Sequence, residues 1–156
     1  IIIASIIFGK RNNQNPFLYM DIVALVAPIG IFFGRISNFI NSELYGKVTD
    51  LPWSVTFVKI DNFPRHPTQI YEALLEGIIL FVLMNLIFFR KKYKKGTASF
   101  AFLFFYGVFR FISEFFREPD IQVGYLIGSL SMGMLLSLIM IFISIVFFYK
   151  INETKT

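Results

Sequence analysis

Cysteine is absent from this chain of 156 residues, and histidine occurs once, as His66. The first absence excludes a disulfide framework and any thiolate metal site. The second puts a histidine-rich metal centre out of reach, so no metal is expected. A cleavable leader is not apparent at the start either. Ile1–Phe8 is too short for one and lacks a charged leader and a small-residue cleavage site. The chain instead opens inside an apolar run, which reads as the tail of a truncated membrane span.

What is abundant is apolar mass. Hydrophobic residues make up 56% of the chain, and 21 residues are phenylalanine, against about 45–50% apolar residues in ordinary soluble domains. Run length decides what that means, because a bilayer-crossing helix needs about 20 mostly apolar residues. Four segments reach that length: 17–40, 67–89, 97–116 and 126–149. The expected fold is an all-α, polytopic transmembrane bundle, one domain over 1–156, with four complete spans and part of a fifth. The net charge is +5. In a membrane chain such a charge marks loops on the cytoplasmic side and is no signal for nucleic acid.

Loop charge sets the expected orientation. Lys10, Arg11, Arg90, Lys91, Lys92, Lys94, Lys95, Lys150 and Lys155 fall on one side of the alternating spans. Lys47, Lys59, Arg65 and Arg117 fall on the other. The positive-inside bias places the first group and the C-terminus in the cytoplasm. Segment 41–66 and the turn around Arg117–Asp120 then face outward. Small-xxx-small spacing at Gly30/Gly34 and Gly124/Gly128 fits close helix packing in a bundle.

The informative residues are polar ones inside the apolar runs. An arginine at the bilayer centre costs roughly 2.5–3.5 kcal/mol on insertion scales. Arg35 and Arg110 therefore need a carboxylate, a water-filled cavity or an anionic ligand. Arg110, Glu114 and Arg117 are spaced i, i+4, i+7 and share one face of a continuous helix. Two arginines with one acid leave that face net positive, which suits an anion; Glu114 reads equally as a plain ion-pair partner. Arg35 and Asn38 share a face of the first complete span, with Asn41 and Glu43 at its outer end. The asparagines read also as end caps. Gln69, Glu72 and Glu76 line one face at the start of the next span, with Pro67 suited to a first helical turn. His66 beside them is either a proton acceptor or part of the helix cap. Trp53 and the prolines around it form an interfacial segment. From the residues alone, the reading is a buried, positively biased pocket able to hold a phospholipid headgroup.

Three blocks carry a resemblance. Gly34-Arg35-Ile36-Ser37-Asn38-Phe39-Ile40-Asn41-Ser42-Glu43-Leu44-Tyr45-Gly46 closely resembles the signature of the prolipoprotein diacylglyceryl transferases. His66-Pro67-Thr68-Gln69-Ile70-Tyr71-Glu72 and Arg110-Phe111-Ile112-Ser113-Glu114-Phe115-Phe116-Arg117-Glu118-Pro119-Asp120 fit the same family in order and separation. Ser37 departs from the Gly or Ala of the family pattern. The resemblance covers essentially the whole chain, yet family members have more spans, so the chain is expected to be a C-terminal fragment.

The resemblance implies transfer of the diacylglyceryl group of phosphatidylglycerol to the lipobox cysteine thiol of a prolipoprotein, the first step of lipoprotein maturation. The implied partners are phosphatidylglycerol, the prolipoprotein lipobox segment and membrane lipids; nucleic acid is not among them. No cofactor is implied, and the location is the bacterial inner membrane. Arg35, Arg110, Glu43 and Glu114 take catalytic roles by this likeness. Arg35, Asn38, Asn41, Glu72, Arg110 and Arg117 take roles in binding phosphatidylglycerol, and His66 is a candidate proton acceptor. The alternative is a lipid or anion transporter that uses the same buried arginines; it requires broken helices and paired repeats, which the sequence does not display.

Overall fold

A computed structural model describes residues 1–90, 94–119, 125–127 and 130–153. Gly124, Gly128, Lys91, Lys92, Asp120 and Lys155, named above, lie outside the described residues. The chain is mostly helical. Helix α1 (Ile2–Arg11) turns back through Asn12–Asn15 into α2 (Pro16–Asn41). The loop expected over 9–16 is shorter than the polar composition implied, because Gly9, Lys10 and Arg11 continue the helix. Asn15 caps α2 by accepting the Phe17 N–H at 2.9 Å, and Pro16 follows it, where a missing N–H costs nothing. At the far end Ser42 takes a left-handed backbone with φ 63° and stops the helix.

Segment 42–67 forms a small cap. Strand β1 (Val55–Thr56) pairs antiparallel with β2 (Pro64–Arg65), Val55 opposite Arg65. The chain then runs back as α3 (Thr68–Glu72), a π-helical segment (Ala73–Ile79) and α4 (Leu80–Phe88). Pro67 caps α3 rather than opening it. Helix α5 (Thr97–Glu114) follows and packs against α2, α4 and α6. A short hairpin, β3 (Tyr125–Ile127) with β4 (Leu130–Ser131), leads into α6 (Met132–Glu153).

Two expectations are corrected here. The last predicted span begins as the hairpin, so its helix starts at Met132 rather than near 126 and runs on past Tyr149. A short apolar run does not by itself distinguish strand from helix. The second concerns α5, which ends at Glu114. The chain then turns at Phe115–Phe116 so that the Lys47 N–H can donate to Phe116 O at 2.9 Å. Arg117 therefore leaves the helical face it was expected to share with Arg110 and pairs with Gly46 through its backbone.

Three helices are long and apolar enough to cross a membrane: Pro16–Asn41, Thr68–Phe88 and Met132–Lys150. Helix α5, weighed down by Arg110 and Glu114, is not one of them. A fourth complete span is thus not established on length and hydropathy, nor is α1, at ten residues, more than part of one. Large apolar side chains such as Phe33, Leu86 and Phe142 stand exposed on the outside of the bundle, as they would against lipid. The core lies around Leu80, Met84 and Ala101, packed by Leu25, Leu83, Phe102 and Phe105.

The glycines that bring helices together are not the expected pair. Nothing stands within 4 Å of a Cβ built on Gly30 or Gly34. A Cβ at Gly77 would instead meet Phe32 Cβ at 2.7 Å, and one at Gly107 would meet Ser137 O at 3.1 Å. These are the close approaches of the π-helical segment to α2 and of α5 to α6. The start of α5 is held from another helix. Asp21 of α2, fully buried, accepts the Gly96 N–H at 2.6 Å, the Ser99 N–H at 2.8 Å and the Ser99 hydroxyl at 2.5 Å. A carboxylate there satisfies amides that the helix cannot bond itself and complements its dipole.

Candidate functional site

The two arginines singled out in the sequence, Arg35 and Arg110, meet. Arg35 lies in the last two turns of α2, and Arg110 lies four residues before the end of α5. Between them stand Glu72 and Glu76, both fully buried. The Arg35 Nε and Nη2 donate to Glu76 Oε2 at 3.3 and 2.9 Å, and Nη1 lies 3.1 Å from Glu72 Oε2. Arg110 Nη1 donates to the other oxygen of Glu72, and Nη2 lies 2.9 Å from Glu114 Oε2. Glu72 thus bridges the two guanidiniums with one oxygen for each.

Helix geometry makes this possible. Glu72 is the last residue of α3 and Glu76 falls within the π-helical segment, whose wider turn keeps both carboxylates toward α2 and α5. Gly133 at the start of α6 closes the site from a third side. A Cβ there would stand 2.6 Å from Glu114 Oε2, so a larger residue would push the Glu114 carboxylate out of its present place beside Arg110.

The charge balance reverses one expectation. Two guanidiniums face three carboxylates, so with all five ionised the network carries a formal charge of −1 rather than a positive excess. The loop and span pattern revealed the arginines but not which acids of other helices would pair with them. The guanidiniums remain useful to an anion because each has five N–H donors. Arg35 also borders a cavity of about 250 Å³ together with Ile31, Gly34, Asn38 and Tyr106.

The other sequence-predicted residues divide clearly. Asn38 joins Arg35 at this cavity. Asn41 and Glu43 are exposed at the C-terminal end of α2 and are in none of the ion pairs described above. The backbone of Glu43 is nonetheless held, since its carbonyl accepts from Gln69 Nε2 at 2.6 Å. Thr68 Oγ1 donates to Leu44 O at 3.1 Å, so the first and second sequence blocks are stitched together directly. Gln69 is fully buried and its Oε1 has no protein partner. Gly46 is required by the same contact, because a Cβ there would stand 2.4 Å from His66 O. Arg117 is buried in the cap.

His66 stands apart from the arginines. Its Nδ1 lies 3.3 Å from Tyr71 Oη, whose oxygen also accepts from Trp53 Nε1 at 2.7 Å. Its ring packs edge-on against Phe116. Burial, with a smaller contribution from Lys47, pushes its pKa below the ordinary 6.5. This trio borders an apolar cavity of about 490 Å³, with Leu75, Ile79 and Ile112 also in its wall.

Three features went unread in the sequence. Glu76, noted only as a neighbour of Glu72 on its helix, is the main anchor of Arg35. Tyr106 lines the Arg35 cavity; its position four residues before Arg110 was the available signal. Arg65 is the hub of the cap. It pairs with Asp61 at 2.6 Å and Glu118 at 3.3 Å, donates to Gly46 O at 3.0 Å, and lies 4.8 Å over the Tyr45 ring. The Asp61 carboxyl is held below its usual range by the hydrogen bonds from Arg65. The cap is therefore fastened to the first sequence block and, through Glu118, to the third, just past the end of α5.

Comparison with known proteins follows the same residues. A family model described as prolipoprotein diacylglyceryl transferase matches residues 1–150. The phosphatidylglycerol–prolipoprotein diacylglyceryl transferase of Mannheimia succiniciproducens is 48% identical over 148 residues, 94% of this chain and 55% of the relative. That of Allorhizobium ampelinum is 50% identical over 142 residues, covering 89% and 50%. That of Rickettsia bellii is 47% identical over 157 aligned positions, covering 99% and 59%. The chain spans about half the length of the curated relatives it matches.

Proposed function

The chain belongs to the prolipoprotein diacylglyceryl transferase family, and from that premise we propose that its complete protein moves the diacylglyceryl group of phosphatidylglycerol onto the lipobox cysteine of prolipoproteins. The observation that carries the reading is the pair Arg35–Arg110, held from opposite helices by the buried carboxylate of Glu72 beside a cavity that also offers Asn38 and Tyr106.

In this reaction the substrate thiol sulfur attacks the glycerol carbon that carries the phosphate ester. The carbon–oxygen bond breaks, glycerol phosphate departs with the bonding electrons, and a thioether forms. Negative charge grows on the phosphate as it leaves. Guanidiniums fixed beforehand in a water-poor site stabilise that charge without reorganising. Arg35 and Arg110 hold the phosphate, each through a paired hydrogen-bond fork. Asn38, beside Arg35 at the cavity, orders the headgroup glycerol, and Glu72 and Glu114 orient the arginines. Arg117 supports the anion site from the cap. The thiol must lose its proton to react. The carboxylates of the network are committed to guanidiniums. His66, kept neutral by its surroundings, is the acceptor that this chain offers.

Helix α5 crosses the membrane as a further span in this reading, since its two charges are spent on ion pairs inside the bundle. With α1 as part of another span, the basic loops and the C-terminus lie in the cytoplasm, and the network lies toward the outer face of the bacterial inner membrane. The test is reconstitution of the complete protein with phosphatidylglycerol and a lipobox peptide. A peptide mass gain of one diacylglyceryl group supports the reading. No gain from well-folded protein overturns it and favours a lipid or anion transporter.

A further inference from the structure

A second cavity lies at the other end of the bundle. It measures about 500 Å³, within the roughly 300–1,000 Å³ typical of ligand cavities. Ile87 and Phe148 wall it near the ends of α4 and α6, and Thr97 and Phe104 wall it from the first half of α5. Arg90, exposed just beyond α4, stands on its border. Thr97 precedes Arg110 by 13 residues of one helix, so the two sites are about 20 Å apart along α5.

The chemistry of this end is one-sided. Residues 90–95 hold five cations, Arg90, Lys91, Lys92, Lys94 and Lys95, and no acid. Lys150 lies two residues beyond Phe148 on α6. Asp21, the buried acid nearest in the fold, is engaged at the start of α5 with the Gly96 and Ser99 amides. Apart from Arg90 and Thr97 the lining is apolar and offers little to hold water, and a bilayer around it supplies acyl chains. Cations at the interface above such a crevice select an anionic headgroup.

We infer that this cavity binds an anionic glycerophospholipid, with one acyl chain between α4, α5 and α6 and its phosphate at Arg90. The site is separate from the one that the transfer reaction uses. It holds lipid from the leaflet at the basic end of the bundle.

The experiment uses the complete protein, exchanged into an equal mixture of dioleoylphosphatidylserine and dioleoylphosphatidylcholine and examined by native mass spectrometry. The expected result is preferential retention of phosphatidylserine. Arg90→Gln lowers that retention about fivefold, the loss of one interfacial cation, and leaves transfer at saturating phosphatidylglycerol unchanged. Arg35→Lys leaves the retention as it was, which separates this lipid from one held at the ion-pair network. Equal retention of the two lipids would overturn the inference, as would retention untouched by Arg90→Gln. Retention of no lipid would overturn it too, and would mean that the rest of the protein fills the crevice.

Discussion

Replacing Glu76 with glutamine keeps the size of the side chain and removes its charge. Two hydrogen bonds from Arg35 end on Glu76 Oε2, at 3.3 and 2.9 Å. Arg35 stays ionised, so both bonds persist as charge-assisted ones and what is lost is the ion pair. Removing one partner of a buried pair costs about 3–5 kcal/mol, and Glu72, still paired with Arg35, keeps the loss to about 2–3 kcal/mol. The same change relieves repulsion between Glu76 and Glu72, which offsets part of the loss. A net destabilisation of about 1–2 kcal/mol remains. The assay is SDS-driven unfolding of the complete protein in bicelles, run as a double-mutant cycle with Arg35→Gln. The two substitutions should couple by about 1–2 kcal/mol, well beyond the scatter of independent sites. A coupling below about 0.5 kcal/mol would show that Glu76 does not anchor Arg35 and would refute the reasoning. Transfer rate gives a second reading of the same variant, because an unanchored Arg35 should raise KM for phosphatidylglycerol and lower kcat together.

Asp21→Asn leaves an amide where a carboxylate holds the start of α5; it should cost about 1–3 kcal/mol of stability, measured in the same unfolding assay, and an unchanged midpoint would remove Asp21 as the cap. His66 should titrate below 6.5 in ring-nitrogen NMR of the reconstituted protein, and Lys47→Gln should move the midpoint up. The sign for stability follows. With the folded pKa depressed, the unfolded chain binds the proton more readily, so this contribution is full above about 6.5 and falls as pH drops below it. A midpoint at or above 6.5 contradicts the burial of that ring.

The apolar, span-length character of the chain was legible from run length, and Arg35 and Arg110 stood out as charges within those runs. Both follow from one-dimensional arithmetic, because helix rise and bilayer thickness are fixed. What the one-dimensional pattern lacked was partnership across helices. Glu76 sits on the same stretch as Glu72, but nothing in the spacing says that a π-helical turn carries both toward Arg35. The net sign of the site was misread for that reason. The exit of Arg117 from α5 depended on pairing between the 45–47 segment and 116–118, a contact between distant residues that no local periodicity encodes. The hairpin before α6 was hidden in an apolar run that suits a strand as well as a helix. Gly30 and Gly34 show the opposite failure, a helix-packing pattern with no helix against it among the described residues.

The central claim is that Arg35 and Arg110 grip the lipid phosphate through paired hydrogen bonds, and conservative replacement tests it most directly. Lysine keeps the positive charge and gives up the planar fork. The measurement is the rate of diacylglyceryl transfer to a lipobox peptide by the complete protein carrying Arg35→Lys or Arg110→Lys, each first checked for folding. The account predicts a fall of about ten- to hundredfold for each, the loss of one charge-assisted hydrogen bond. Rates unchanged in both variants would contradict it, leaving the arginines as plain ion-pair partners of Glu72, Glu76 and Glu114.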